Sequence, residues 1–386
     1  MNRRELLRGL SLAIPAMSMG RLYAAPAGSP RLLIVFLRGG YDCLNMLVPY
    51  ASEDYYALRP NIAIPKPPES LLLDADWALS PALAASAAPL FASKQLAFIP
   101  FAGTEDLSRS HFETQDSIEL GQPVDHPDLA SGFLARLASV LTGRRAIAFT
   151  DSLPVSFRGG RDVPNISLKS VGKPAFDERQ AGVLADMYAH HPLHDQVREG
   201  LELRQQVSTA MAEEMQQANR DAVTPKGFEL EAQRIGRLLR TDYALGFVDI
   251  GGWDTHVNEN QTLAANLDSL GRGVQSLARE LGPEWANTVV IVVSEFGRTF
   301  RENGNRGTDH GHGSIFWVAG GSIAGGRVVG RQQRIQRSTL FQDRDLPVLN
   351  DYRGVIGGLA RGIWNLSDSQ LEGVFPGALP LDLGLI

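Results

Sequence analysis

The run Thr288-Val-Val-Ile-Val-Val293 stops abruptly at Ser294-Glu295-Phe296-Gly297-Arg298-Thr299. Val and Ile at this density predict a strand buried on both faces, as in a parallel sheet covered by helices. Two other runs behave the same way. Leu32–Leu37 ends in Arg38-Gly39-Gly40-Tyr41-Asp42, and Leu245–Ile250 ends in Gly251-Gly252-Trp253-Asp254-Thr255-His256. Further strand-like runs fall at 95–101, 146–150 and 315–319, mostly separated by helical or loop material. The alternation predicts an α/β fold with a mostly parallel sheet.

Three strands of one sheet thus each end in a loop bearing a carboxylate: Asp42, Asp254 and Glu295. In open α/β sheets ligands bind outside the carboxyl ends of the strands. Fourteen residues beyond the end of the Thr288–Val293 strand comes Gly307-Thr308-Asp309-His310-Gly311-His312-Gly313, whose glycines permit tight folding around one ion. In an extended segment residues two apart point the same way, so Asp254 and His256 can grip an ion together. The expected ligands are Asp42, Asp254, His256, Glu295, Asp309, His310 and His312. Mixed histidine and carboxylate donors suit zinc, manganese or iron, as one or two divalent ions, better than an all-oxygen calcium cage. Each feature alone has a plainer reading. An Asp after a strand commonly forms a turn or caps a helix, and Glu295 can pair with Arg298. The convergence of three loops is what points to a metal.

A further segment follows the 95–101 run: Ser108-Arg109-Ser110-His111-Phe112-Glu113. Ser110 and Glu113 have the spacing of a capping box. The same geometry can also present the Ser110 hydroxyl as a nucleophile, stabilised by exposed helix amides and a metal. Arg109 can bind an anionic substrate group through its planar fork. His111 is open to three roles: ligand, proton donor, or a ring held by hydrogen bonds. Cys43, beside Asp42, can be a soft ligand, a nucleophile or a small core residue.

The N-terminus carries Asn2-Arg3-Arg4-Glu5-Leu6-Leu7-Arg8, a modest apolar stretch and Ala25-Pro26-Ala27. That order reads as a twin-arginine export signal over residues 1–27, too short to span a bilayer. The expected destination is the periplasm or the exterior, with the twin-arginine translocase as a partner during export and no stable membrane span. A single cysteine excludes an intramolecular disulfide. Loss of the leader, with four arginines and one glutamate, takes the formal charge from −6 to −9. That charge, with no basic stripe, argues against nucleic acid.

Residues 28–386 read as one α/β domain: 386 residues with 44% hydrophobic content suffice for a large core. Residues 176–240 differ, being rich in Glu, Gln, Arg, Ala and Leu, and predict a helical insertion. Leu349–Trp364 predicts an amphipathic helix against the sheet.

The motifs Gly39–Asp42, Ser110–Glu113, Gly251–His256, and Ser294–Thr299 with Gly307–Gly313 resemble the hallmarks of domain of unknown function 1501. That family of twin-arginine-exported bacterial proteins is placed in the alkaline phosphatase and sulfatase superfamily. The likeness runs over nearly the whole mature chain. It implies an alkaline-phosphatase-like α/β sandwich and a metal-dependent hydrolase of phosphate or sulfate esters. Carried over by position, Asp42 matches the metal-binding Asp after the first strand. Asp254 and His256 match the carboxylate and histidine of one metal, and His310 or His312 matches the late histidine. Ser110 takes the place of the nucleophile, with Ser108 and Thr104 as rivals, while Arg109 or Arg298 would neutralise transition-state charge. The sequence departs from the superfamily at Phe296, where a histidine is expected. That departure supports an alternative, a non-catalytic envelope protein of the same fold that binds a polysaccharide, lipid head group or partner protein.

Overall fold

A computed structural model describes residues 28–125, 128–160, 163–167, 178–202, 227–241 and 243–386. The strands in chain order are β1 (Arg31–Leu37), β2 (Leu47–Val48), β3 (Leu71–Leu72), β4 (Ala78–Leu79), β5 (Leu96–Gly103), β6 (Arg145–Phe149), β7 (Tyr243–Ile250), β8 (Thr288–Ser294), β9 (Ser314–Gly320), β10 (Arg327–Val328) and β11 (Asn350–Asp351). The main sheet runs β10-β5-β9-β8-β1-β7-β6, with β11 also paired to β5. Every pairing is parallel except those of β9, which runs antiparallel to β5 and β8. The expected α/β sheet is therefore present, with one reversed strand.

Strand β1 shows why the apolar runs are continuous. Leu33, Val35 and Leu37 face one core, shared with the helices Phe228–Leu239 and Glu259–Leu281. Leu32, Ile34 and Phe36 face the other, shared with Phe133–Val140 and Tyr352–Trp364. A strand with helices on both sides has no face left for polar residues. Each of these side chains contributes roughly 1.5–3 kcal/mol relative to exposure.

The Glu259–Leu281 helix has the corresponding one-sided pattern. Leu263, Leu267, Leu270, Val274, Leu277 and Leu281 repeat at alternating spacings of four and three, and all are buried. The helix stops at Gly282, with φ +54°.

The structure revises three local expectations. Leu349–Trp364 is not helical throughout: Asn350–Asp351 pair with Ala102 and Gly103 of β5, and the helix is Tyr352–Trp364. A small antiparallel sheet, β2-β4-β3, fills residues where no strand was expected. Of the 176–240 insertion, Glu178–Tyr188 and Phe228–Leu239 are helical; residues 203–226 lie outside the described residues, as do the leader residues 1–27. Among the described residues no helix is long and apolar enough to cross a membrane.

Candidate metal centre

Strands β8, β1 and β7 are adjacent and parallel, so their carboxyl ends share one rim. The loops after them carry Glu295, Gly39–Gly40 and Asp254. Strand β9 runs the other way and starts at that rim, which brings in the β8–β9 loop with His310. The Ser110 segment follows β5, two places along.

Chain geometry at the rim is tight. Gly39 has φ +126°, and a Cβ there would lie 2.5 Å from the Asp254 nitrogen. Only glycine allows that approach at that dihedral. Residues 297–299 pair with 309–312 through Thr299 N to Asp309 O (2.9 Å), Gly311 N to Gly297 O (2.9 Å) and Gly297 N to His312 O (3.0 Å).

Four side chains converge. One ligand atom each from His111, Asp254 and His310 lies within 4.8 Å of the others. His111 Nε2 is 3.5 Å from Asp254 Oδ2, and His310 Nε2 is 3.3 Å from Asp254 Oδ1. His256 Nε2 joins them, 2.8 Å from Asp254 Oδ1 and 3.2 Å from His310 Nε2. Zinc with bonds of about 2.0–2.2 Å in tetrahedral array holds neighbouring ligand atoms roughly 3.3–3.5 Å apart. The His111–Asp254 and Asp254–His310 separations have that span.

The proton positions point the same way. His310 Nδ1 lies 3.0 Å from the Arg109 carbonyl, which can only accept, so Nδ1 carries the ring proton. Burial lowers the pKa of this ring and keeps it neutral. Its Nε2 therefore offers a bare lone pair beside a carboxylate oxygen, an arrangement that a cation between the two would satisfy. His111 Nδ1 sits 2.8 Å from Glu295 Oε1, while its Nε2 is buried and makes no hydrogen bond within the protein. A histidine held by a carboxylate on one nitrogen, with the other unpartnered, is the arrangement of a metal ligand and its supporting residue. The Glu295 hydrogen bond raises the His111 pKa against the opposing effect of burial.

The supporting residues are buried. Glu295 Oε1 also accepts from Gly39 N (2.8 Å) and Gln115 Nε2 (2.8 Å). Burial alone would raise the Glu295 carboxyl, but these donors outweigh it and hold it below the usual range. Gln115 lies four residues after His111, on the same helix face. Arg298 donates from Nη2 to Asp254 Oδ1 (2.6 Å), Gly39 O (2.6 Å) and Trp253 O (3.2 Å), and from Nε to Gly40 O. Against the opposing effect of burial, this guanidinium holds the Asp254 carboxyl below its ordinary range. Phe296 packs 5.0 Å, centroid to centroid, from both His111 and His310 and forms an apolar wall where a histidine was expected.

Several expected ligands stand elsewhere. Asp42 is wholly buried and spends both oxygens on Arg59, at 2.6 and 3.1 Å. Glu295 supports His111 from behind. Asp309 lies 3.5 Å behind His256 Nδ1. The His312 ring packs on Phe341, and burial, with the nearby Arg109 charge, lowers its pKa to about 4. The two arginines are also committed: Arg109 Nε and Nη2 hold the buried Asp345 and Gln342. Arg298 touches the cluster directly, donating to Asp254 and lying 3.4 Å from His256 Nε2, whereas Arg109 reaches it through its carbonyl on His310. Cys43 is a buried core residue whose thiol burial pushes up, an environment of low reactivity.

Ser110 occupies the N-cap of the His111–Leu120 helix, but its side chain makes no capping bond, so the expected capping box does not form. Its rivals are engaged: Ser108 Oγ lies 3.1 Å from Thr114 Oγ1, and Thr104 Oγ1 accepts from Asp106 N. Sequence reasoning missed Arg59, Gln115 and Glu259, for which only the helical spacing of Gln115 from His111 was a usable signal.

Fold and cluster together define an α/β-sandwich protein with a histidine–carboxylate centre at the carboxyl rim of its sheet. The chain belongs to the family described as Protein of unknown function (DUF1501), which matches residues 29–375. No curated protein matches it. Similar solved structures include a protein in the alkaline phosphatase superfamily from Vibrio parahaemolyticus (11% identity, 85% of this chain and 71% of that chain, TM-score 0.35). Another is BT1596, a 2-O GAG sulfatase (11%, 88% and 71%, 0.39). A third is the lipoteichoic acid synthase LtaP from Listeria monocytogenes (8%, 97% and 80%, 0.39). At these scores the likeness carries neither residues nor activities across.

Proposed function

We propose that the protein is an exported, metal-dependent hydrolase of phosphate or sulfate esters. The observation that carries this reading is the cluster of His111, Asp254, His256 and His310, with two ring nitrogens held from behind and their partners left facing a carboxylate. These donors fit a divalent transition metal such as zinc, manganese or iron. A bound ion would polarise the ester oxygen and offset charge developing in the transition state.

The chain's own groups do the rest. Arg298 and Glu295 hold Asp254 and His111 in place, and Phe296 limits water on one side. In this scheme the Ser110 hydroxyl, relieved of capping, attacks the phosphorus or sulfur, the substrate's alcohol departs as its ester bond breaks, and water then hydrolyses the ester formed on Ser110. His256, half-exposed at the edge of the cluster, is placed to move a proton. The experiment is a panel of aryl phosphates and aryl sulfates offered to metal-loaded protein. Turnover is expected in the wild type, with complete loss in Asp254→Asn. Ser110→Ala is expected to keep its metal while losing turnover. Activity persisting in Asp254→Asn would remove the cluster from the mechanism.

A second reading rests on the Arg59–Asp42 pair and on Phe296: a protein of this fold that keeps one ion to bind an envelope polymer without cleaving it. Tight polymer binding together with silence on the whole ester panel would favour it.

A further inference from the structure

Glu259 opens the long Glu259–Leu281 helix and is fully buried, and its side-chain hydrogen bonds go to none of the four clustered side chains. Its Oε2 accepts from Thr308 Oγ1 (2.8 Å) and Thr255 Oγ1 (3.3 Å). Thr255 stands between Asp254 and His256 in the chain, and Thr308 lies two residues before His310. The backbone tightens the same junction, through Glu259 N to Arg306 O (3.0 Å) and Thr308 N to Thr255 O (3.4 Å). The other oxygen, Oε1, is buried with no donor, although the Asp42 carboxyl is in hydrogen-bonding reach of Glu259.

Two carboxyl groups in contact need one proton between them. Asp42 takes two hydrogen bonds from Arg59, whose remaining donors go to Asn45 Oδ1 (2.9 Å), Thr299 O (2.9 Å) and Phe300 O (2.8 Å). The charged partner is therefore Asp42. A helix N-terminus favours an ionised carboxylate, but that effect is small beside the cost of burying a second negative charge.

We propose that Glu259 carries a proton directed at Asp42 and serves as a positioning residue. It is a neutral crosspiece that fixes Thr255 and Thr308, and through them the two segments bearing Asp254, His256 and His310. Burial, with the Asp42 charge adding to it, pushes the Glu259 carboxyl up to about 9. The consequence for metal rests on the reading of the cluster given above; the proton does not.

The test compares the full chain with Glu259→Gln and Glu259→Ala by infrared spectroscopy of the metal-free proteins and by cobalt(II) titration. A carboxylic-acid carbonyl band is expected in the wild type at neutral pH and absent from Glu259→Gln. Gln, donating to Asp42 and accepting from both threonines, should keep cobalt affinity within about threefold. Ala should weaken it on the order of 10–100-fold, as lost supporting residues do. A wild type without that band, or a Gln variant as impaired as Ala, overturns the proposal; if Ala fails to fold, the Gln variant and the band still decide. A wild type with the band but no cobalt affinity refutes the metal reading and leaves the proton standing.

Discussion

His111 Nδ1 and Glu295 Oε1 lie 2.8 Å apart, and the Glu295 side chain has no solvent exposure. The pair fixes which ring nitrogen faces the rim and ties the Ser110 segment to the end of β8. Glu295→Gln keeps the shape but lets the amide present a donor where Glu295 offered only acceptors. Transition-metal affinity should fall about 10–100-fold, measured by competition with a chromophoric chelator. In the metal-free variant the His111 pKa, raised in the wild type chiefly by this carboxylate, should drop in an NMR titration. An unchanged affinity would mean that His111 needs no such support.

Arg298 is wholly buried and donates to carbonyls of the β1 and β7 loops as well as to Asp254. Lysine cannot reproduce the fork. Arg298→Lys should cost about 1–3 kcal/mol, chiefly from the buried carbonyls left without donors, since the half-exposed Asp254 is screened by solvent; chemical denaturation reads the loss. A loss below about 1 kcal/mol would place the guanidinium outside the framework.

Gly39→Ala forces a Cβ into the Asp254 backbone at a dihedral L-residues avoid. Loss of stability by a few kcal/mol and loss of metal should appear together. Retained metal at reduced stability would separate the loop from the centre.

The Glu259 proton makes a pH prediction with a definite sign. The folded-state pKa of about 9 stands above the ordinary carboxyl value of 4.5. Between these values the folded protein holds a proton that the unfolded chain has released, so stability falls as pH rises through that window. The slope contributed by one such group is at most about 1.4 kcal/mol per pH unit. Asp42 and Arg59, the charged groups facing it, are unaltered in Glu259→Gln. The variant's stability should therefore fall less steeply from pH 5 to 9 than that of the wild type. Parallel curves would show Glu259 ionised.

Much of the fold was legible because β1, β7 and β8 are continuous apolar runs, and only strands covered on both faces tolerate that composition. The loops after them, the Asp254–His256 pair and His310 could be placed on one rim by the same reasoning. The two-residue strands β2, β3 and β4 left no trace, since two residues carry no period. The pairing of Asp42 with Arg59 was equally hidden. An Asp after a strand looks the same whether its neighbour in space is a metal or a guanidinium, and the pair stands 17 positions apart with no periodic pattern between. Glu259 read as an ordinary first-turn acid, because its burial is set by loops that close over it from residues 42, 255 and 308.

Elemental analysis of the dialysed protein tests the central claim most directly. Wild type loaded with zinc, manganese or iron should retain close to one equivalent, since Arg59 occupies Asp42 and leaves a single cluster among the described residues. The His111→Ala/His310→Ala double variant should fall to background with its fold intact by circular dichroism. Metal retained equally by both proteins, or by neither, would contradict the account.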